Sequence, residues 1–144
     1  MDFALFKSIV DEASAYGPRS FSLHLFGEPL LYPRIIDAIR YIKSRNRRNV
    51  ILLTTNGTLL GRFIDELKTV DKIIWSWRPE SRFNEITMAK LKRLKSFTVR
   101  LIKETVPEKD FQAWSKWPNV EVRSLHNYGG NINLSDFQQH SNDT

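Results

Sequence analysis

Residues 21–33 read Phe-Ser-Leu-His-Leu-Phe-Gly-Glu-Pro-Leu-Leu-Tyr-Pro, and the fold is decided there. Phe21, Leu23 and Leu25 alternate with Ser22 and His24, the period-two pattern of a strand with two unlike faces. Phe26 adds another large apolar side chain, so the pattern predicts a strand over 21–26, buried for most of its length. Gly27 lets the backbone turn and Pro29 removes a ladder donor, which ends the strand in a tight loop rich in backbone groups. Pro33 then suits the first turn of a helix. In α/β folds such loops converge with helix N-termini at the carboxyl ends of the strands, where ligands sit.

The flanking sequence repeats this theme. Asp2 is placed to cap a helix whose apolar positions Phe3, Phe6, Ile9, Val10 and Ala13 recur at helical spacing, with Gly17-Pro18 as the stop. After Pro33, residues Ile35, Ile36, Ile39 and Ile42 form the inner face of a second helix. Val50–Thr54 is a short strand leading into an Asn56-Gly57 turn, and Phe63, Ile64 and Leu67 mark a helix from Arg62 to Leu67 or Val70. Ile73–Trp77 is a strand, Arg82–Leu94 a helix, and Phe97, Val99 and Leu101 alternate as a further strand. Pro107 opens a helix with Phe111, Trp114 and Trp117, and Pro118 ends it. Val120, Val122 and Leu125 make the last strand, running into His126-Asn127-Tyr128-Gly129-Gly130. Strands starting near residues 21, 50, 73, 97 and 120 alternate with helices, the rhythm of right-handed β-α-β units. This predicts an α/β fold with a parallel sheet in one domain over residues 1–130, followed by a polar segment, 131–144, expected to be disordered.

Composition narrows the function classes. The chain has 144 residues, 41% apolar and 26% charged, as in an ordinary globular domain. No run approaches the roughly eighteen apolar residues of a membrane span, and the N-terminus lacks the form of a signal peptide, so a cytoplasmic protein with no membrane partner is expected. The net charge of +6 centres on Lys43, Arg45, Arg47 and Arg48. They fall at a helix end, where cations complement the helix dipole, and nucleic-acid binding is the lesser reading of them. There is no cysteine, which excludes a disulfide framework and a thiolate metal site.

A parallel sheet would bring five loops to one rim: Gly27-Glu28-Pro29, Thr55-Asn56-Gly57, Ser76-Trp77-Arg78, Lys103-Glu104-Thr105 and 126–130. Glu28 either accepts hydrogen bonds from a ligand ammonium or ties its loop to the next helix. Asn56-Gly57 either lines the pocket or forms a turn requiring positive φ. The Ser76 hydroxyl serves a ligand or the backbone. Lys103 reads as a rim lysine in water, His24 as a packed mid-strand histidine, and Trp114 and Trp117 as packing.

Gly-Glu-Pro-Leu-Leu-Tyr-Pro at 27–33, followed by a helix, a strand and Thr-Asn-Gly-Thr-Leu-Leu at 55–60, resembles the core of radical S-adenosylmethionine (radical SAM) enzymes, in which GGEPLLHP and TNGTLL recur. Phe26 stands in place of the first glycine and Tyr32 in place of the histidine. His126-Asn127-Tyr128-Gly129-Gly130 is similar to the HNWGG of members with an additional cluster-binding (SPASM) tail. The resemblance implies a partial (β/α)6 TIM-like barrel holding strands two to six and the helix after strand one. It implies S-adenosylmethionine (SAM) as cofactor, with Gly27, Glu28 and Pro29 at the methionyl amino group, Thr55 and Asn56 lining the pocket, Ser76 near the ribose, and His126 at the rim.

In that family a CxxxCxxC loop holds a [4Fe-4S] cluster that cleaves SAM reductively to a 5′-deoxyadenosyl radical. This chain has no cysteine, and His24, His126 and His140 lack the required spacing, so no metal ligands or catalytic residues are assigned and no activity is expected of it alone. Met1-Asp2-Phe3 aligns with the start of the family's first helix, which places the cluster loop upstream; truncation, a split gene and degeneration are all consistent with this. The expected partners are a small-molecule or peptide substrate of the parent enzyme and, at the uncovered edge of the 21–26 strand, a second copy or a complementing polypeptide. The reading from a different class is a non-catalytic interaction or regulatory module that docks through that edge.

Overall fold

The computed structural model describes residues 1–24, 27–81 and 83–124. Five strands, β1 (Ser20–Ser22), β2 (Val50–Thr55), β3 (Lys72–Ser76), β4 (Phe97–Ile102) and β5 (Val120–Arg123), form one sheet in the order β1-β2-β3-β4-β5. Every adjacent pair is parallel. The helices are α1 (Phe3–Ala15), α2 (Ile35–Arg45), α3 (Leu60–Phe63), α4 (Glu85–Leu91) and α5 (Glu108–Trp114). The α/β class and the parallel sheet expected from the strand spacing are present.

Because each strand pairs with the next in chain order, crossovers of one hand place their helices on one face of the sheet. The core has this form: Val10, Ile39, Ile42, Leu60, Leu67 and Leu91 pack with Ile51, Leu53, Ile73, Trp75, Val99 and Leu101. The strand residues of that set share a face, since Leu53 pairs with Ile73 and Trp75 with Val99. The alternate residues, among them Thr54, Ile74, Ser76, Thr98 and Arg100, point the other way, and none belongs to this core.

Local chemistry explains the element boundaries. Asp2 Oδ1 accepts from the N–H groups of Ala4 (2.9 Å) and Leu5 (3.0 Å), capping α1 as its position predicts. Of the apolar residues expected on the inner face of α1 only Val10 is buried, and Ile9 is 47% exposed. The reason is position: α1 packs chiefly on α2, the helix that follows β1 at the edge of the sheet, among the described residues. The strand expected over 21–26 is regular only over Ser20–Ser22, with one further rung from Leu23 N–H to Leu52 O (2.9 Å); Leu25 and Phe26 lie outside the described residues. Between Pro29 and Leu31 the chain makes a 3-10 turn, so α2 begins at Ile35, two residues beyond Pro33. The helix expected from Arg62 divides into α3 and a 3-10 turn over Glu66–Thr69, neither with a side-chain cap. α4 is shorter than 82–94 because Asn84 caps it, its Oδ1 accepting from Thr87 N–H (2.8 Å). The polar segment 131–144 and the end of the last strand at Leu125 lie outside the described residues. No described helix is long and apolar enough to cross a membrane.

At the amino end of the sheet Asp71 accepts from Lys43 Nζ (2.5 Å), Lys95 Nζ (2.6 Å) and the Ile51 N–H (2.9 Å). Arg45 pairs with Asp11 at 2.7 Å, so two cations of the basic cluster are held within the fold. Burial works to raise the pKa of Asp71, but the hydrogen bonds from Lys43, Lys95 and Ile51 outweigh it and lower the value from 3.8 to about 2. A depressed folded-state pKa gives stability that is present above about pH 4 and lost as the pH falls through about 2, worth ~2 kcal/mol. We expect Asp71→Asn to lower the urea-unfolding free energy at pH 7 by ~2–3 kcal/mol and to flatten its pH dependence between pH 4 and 2. Identical pH slopes for the two proteins would exclude Asp71 as the source.

Candidate functional site

The loop after β1 and the turn after β2 meet at the carboxyl end of the sheet, and Glu28 joins them. Its Oε1 accepts from Thr55 Oγ1 (2.7 Å) and Leu30 N–H (3.1 Å), while Oε2 accepts from Asn56 N–H (2.6 Å). Thr55 is buried, and its hydroxyl also accepts from Gly57 N–H (3.0 Å), so the carboxylate, the hydroxyl and the turn form one chain of bonds. Gly27 enters this loop with φ at 96°, a conformation that favours glycine, and a Cβ built there would meet nothing within 4 Å. Pro29 opens the 3-10 turn that Glu28 caps.

The turn is held equally firmly from its far side. Asn56 O accepts from Trp75 Nε1 (3.1 Å) and from Ser81 Oγ. Asn56 Oδ1 accepts from Thr58 N–H (2.9 Å) and Thr58 Oγ1 (2.8 Å), the pattern of an Asx turn. Gly57 has φ at 85°, and a Cβ there would lie 2.6 Å from Trp75 Cδ1. The indole of Trp75 therefore packs where any side chain at position 57 would go.

Of the residues singled out in the sequence, Gly27, Glu28, Pro29, Thr55 and Asn56 are brought together. Ser76 ends β3 opposite Arg100 of β4, on the face away from the helices, and makes no bond to that group. His126 and the rest of 126–130 lie outside the described residues. Lys103 is exposed. His24 is half-buried beyond β1, with Ser22 Oγ at 3.2 Å from its Nδ1; burial first, and then the charge of Arg100, lower its pKa from 6.5. Ser81 and the indole N–H of Trp75 are site residues that sequence reading did not identify. A signal existed for the tryptophan, because a buried indole N–H needs an acceptor; none existed for Ser81, whose contact spans a loop.

A cavity of about 430 Å³ runs along the free edge of β1 to this loop, bounded by Phe6, Leu23, His24, Gly27, Glu28 and Tyr32 among others. An ionised carboxylate offers about four lone-pair positions, and among the described residues three of those on Glu28 are filled, which leaves one on Oε2. An ammonium group is one donor that such a position accepts. The residues do not fit an iron–sulfur cluster: the chain has no cysteine, and no described group of three or more His, Cys, Asp or Glu side chains stands together for a metal. No family model and no curated protein matches the chain.

The site analysis makes a direct prediction. Glu28→Ala leaves three donors without their acceptor and is expected to cost ~2 kcal/mol in urea unfolding and to speed amide exchange at Asn56 and Leu30 selectively. Gly57→Ala, strained in backbone and in collision with Trp75, is expected to cost ~2 kcal/mol or more. Unchanged exchange at Asn56 in Glu28→Ala would show that the carboxylate does not hold the turn.

Proposed function

We propose that the chain is an SAM-binding scaffold of the radical SAM type, a partial (β/α)6 barrel in which β1 to β5 correspond to strands two to six. The observation that carries this reading is the Glu28 clamp. It joins Gly27-Glu28-Pro29 to Thr55-Asn56-Gly57 at the carboxyl ends of neighbouring parallel strands, so the two motifs of the resemblance form one built site. The sequential strand order with helices on one face supports a barrel segment over a doubly wound sheet.

In this reading Oε2 of Glu28 accepts from the methionyl ammonium, the backbone at Gly27 lies against the ligand where no side chain intervenes, and Ser76 faces the ribose. SAM bound beside a reduced cluster supplies a 5′-deoxyadenosyl radical in the family. This chain does not carry that cluster, and no cleavage step is assigned to it alone. We place the protein in the cytoplasm.

A second reading, docking of a partner strand, is favoured by a separate observation. Leu5, Ile9 and Tyr16 of α1 are 54%, 47% and 74% exposed next to the free edge of β1. Size-exclusion chromatography with light scattering tests it: the reading expects a species larger than the monomer, and a monomer at all concentrations would remove it.

Calorimetric titration with SAM tests the first reading. The wild-type chain is expected to bind one equivalent, and Glu28→Gln to bind at least about tenfold more weakly, because one charge-assisted hydrogen bond is lost. No heat and no SAM-dependent rise in melting temperature for the wild type would overturn it.

A further inference from the structure

The loops that enter the strands hold a charge that the rim site does not explain. In a parallel sheet they all lie at the amino end, opposite the rim that Glu28 occupies. They carry Arg19 before β1, Arg47 and Arg48 before β2, Lys92, Arg93 and Lys95 before β4 and Lys116 before β5, all exposed, against a single carboxylate, Asp71 before β3. The loops that leave the strands mix the signs, with Glu28, Glu80 and Glu104 beside Arg78 and Lys103. The helix dipole accounts for part of the basic cluster at the end of α2 and no more. Lys43 and Arg45 stand in its last turn and are paired with Asp71 and Asp11. Arg47 and Arg48 lie beyond the cap residue Asn46, and among the described residues neither makes an ion pair. The same holds for Arg19, Lys92, Arg93 and Lys116, while Asp71 is already taken by Lys43 and Lys95. Uncompensated charges of one sign repel, so they add nothing to the fold and present a field to an anionic partner.

We propose that the amino end of the sheet binds a single-stranded nucleic acid, its phosphates held by Arg19, Arg47, Arg48, Lys92 and Arg93 and one base stacked on Tyr16. The span suits a chain of charges and not one phosphate, because β1 to β4 cover ~14 Å at the sheet spacing and the cations are distributed along it. An aromatic ring separates nucleic acid from other polyanions. Tyr16, the cap residue at the carboxyl end of α1, is 74% exposed and stands three residues before Arg19, so a base stacks on the ring while a neighbouring phosphate meets the guanidinium. A paired duplex hides the faces of its bases, which favours a single strand. A lipid surface needs apolar side chains to insert, and among the described residues Tyr16 and Val50 are the exposed large apolar ones at this end. The site lies at the opposite end of the sheet from Glu28 and does not rest on SAM binding.

Fluorescence anisotropy of the full chain with a labelled oligouridylate of about twelve nucleotides, and separately with the matching oligothymidylate, tests this. Saturable binding to at least one is expected at low salt, with log affinity falling against log salt at a slope of roughly 3, as four or five phosphate contacts require. Arg47→Ala/Arg48→Ala is expected to weaken binding by about tenfold or more and to reduce the slope by ~1.4. Tyr16→Ala is expected to weaken it by at least about fivefold at an unchanged slope, since stacking releases no counterions. Arg78→Ala/Lys103→Ala removes the same charge from the opposite end and is expected to leave the affinity within about twofold, the distance being longer than the screening length. Polyglutamate of the same length and phosphatidylserine vesicles are expected to bind at least about tenfold more weakly than the oligonucleotide. No saturable binding to either oligonucleotide, an equal loss in the two double variants, or polyglutamate or vesicles bound as tightly would each overturn the proposal. The substituted positions are exposed, and unchanged melting temperatures exclude unfolding as the cause of a loss.

Discussion

A parallel sheet whose strands follow one another in chain order can be covered by its own crossovers on one face only. That constraint governs this molecule. The helix side takes Ile51, Leu53, Ile73, Trp75, Val99 and Leu101 into the core, and the opposite side carries Leu52, Ile74 and Ile102 beside serines, threonines and the Arg100–Glu121–Arg123 chain. It also turns every strand's carboxyl end toward one rim, so residues far apart in sequence, such as Glu28 and Asn56, close on one another. A doubly wound order would have placed helices on both faces and buried the side where Arg100 now stands.

Much of this was legible in the sequence because it depends on local rules. Alternation at Phe21-Ser22-Leu23 and Phe97-Thr98-Val99, Asp2 before an apolar helical pattern, and Asn56-Gly57 after a β-branched run each carry their own physical reason. The boundaries that moved were set by contacts between elements. α1 shows a helical apolar period, yet only Val10 is buried, because burial of Ile9 needs a neighbour beyond β1 and periodicity does not say whether one exists. The rim was half legible. Positive φ at Gly57 was one of the two readings of the Asn56-Gly57 turn, and a turn at Gly27 was expected, its positive φ being set by the structure. The bonds of Asn56 O to Trp75 and Ser81 were not legible, since hydrogen bonds between loops leave no periodic trace.

The clamp also bears on the two readings of Glu28, as a tie between loops or as a ligand acceptor. The two do not exclude one another, because a carboxylate has two oxygens and, among the described residues, Thr55, Leu30 and Asn56 occupy three of about four positions. Bonds to the protein fix the direction of the remaining lone pair, so an arriving donor meets a group that has already lost its rotational freedom. The same bonds that hold the turn therefore fix the direction of the carboxylate.

A comparison of the two buried-end carboxylates sharpens the point. Asp71, at the amino end, receives two lysine ammonium groups and one backbone N–H, so its charge is more than balanced and it works as a structural hub. Glu28, at the carboxyl end, receives two backbone N–H groups and one hydroxyl, all neutral. Neutral donors orient a carboxylate without cancelling its charge, whereas paired ammonium groups cancel it. The two ends of the sheet thus divide the labour: Asp71 fastens β2 to β3 through charged donors, and Glu28, among the described residues, joins the loop after β1 to the turn after β2 through neutral ones.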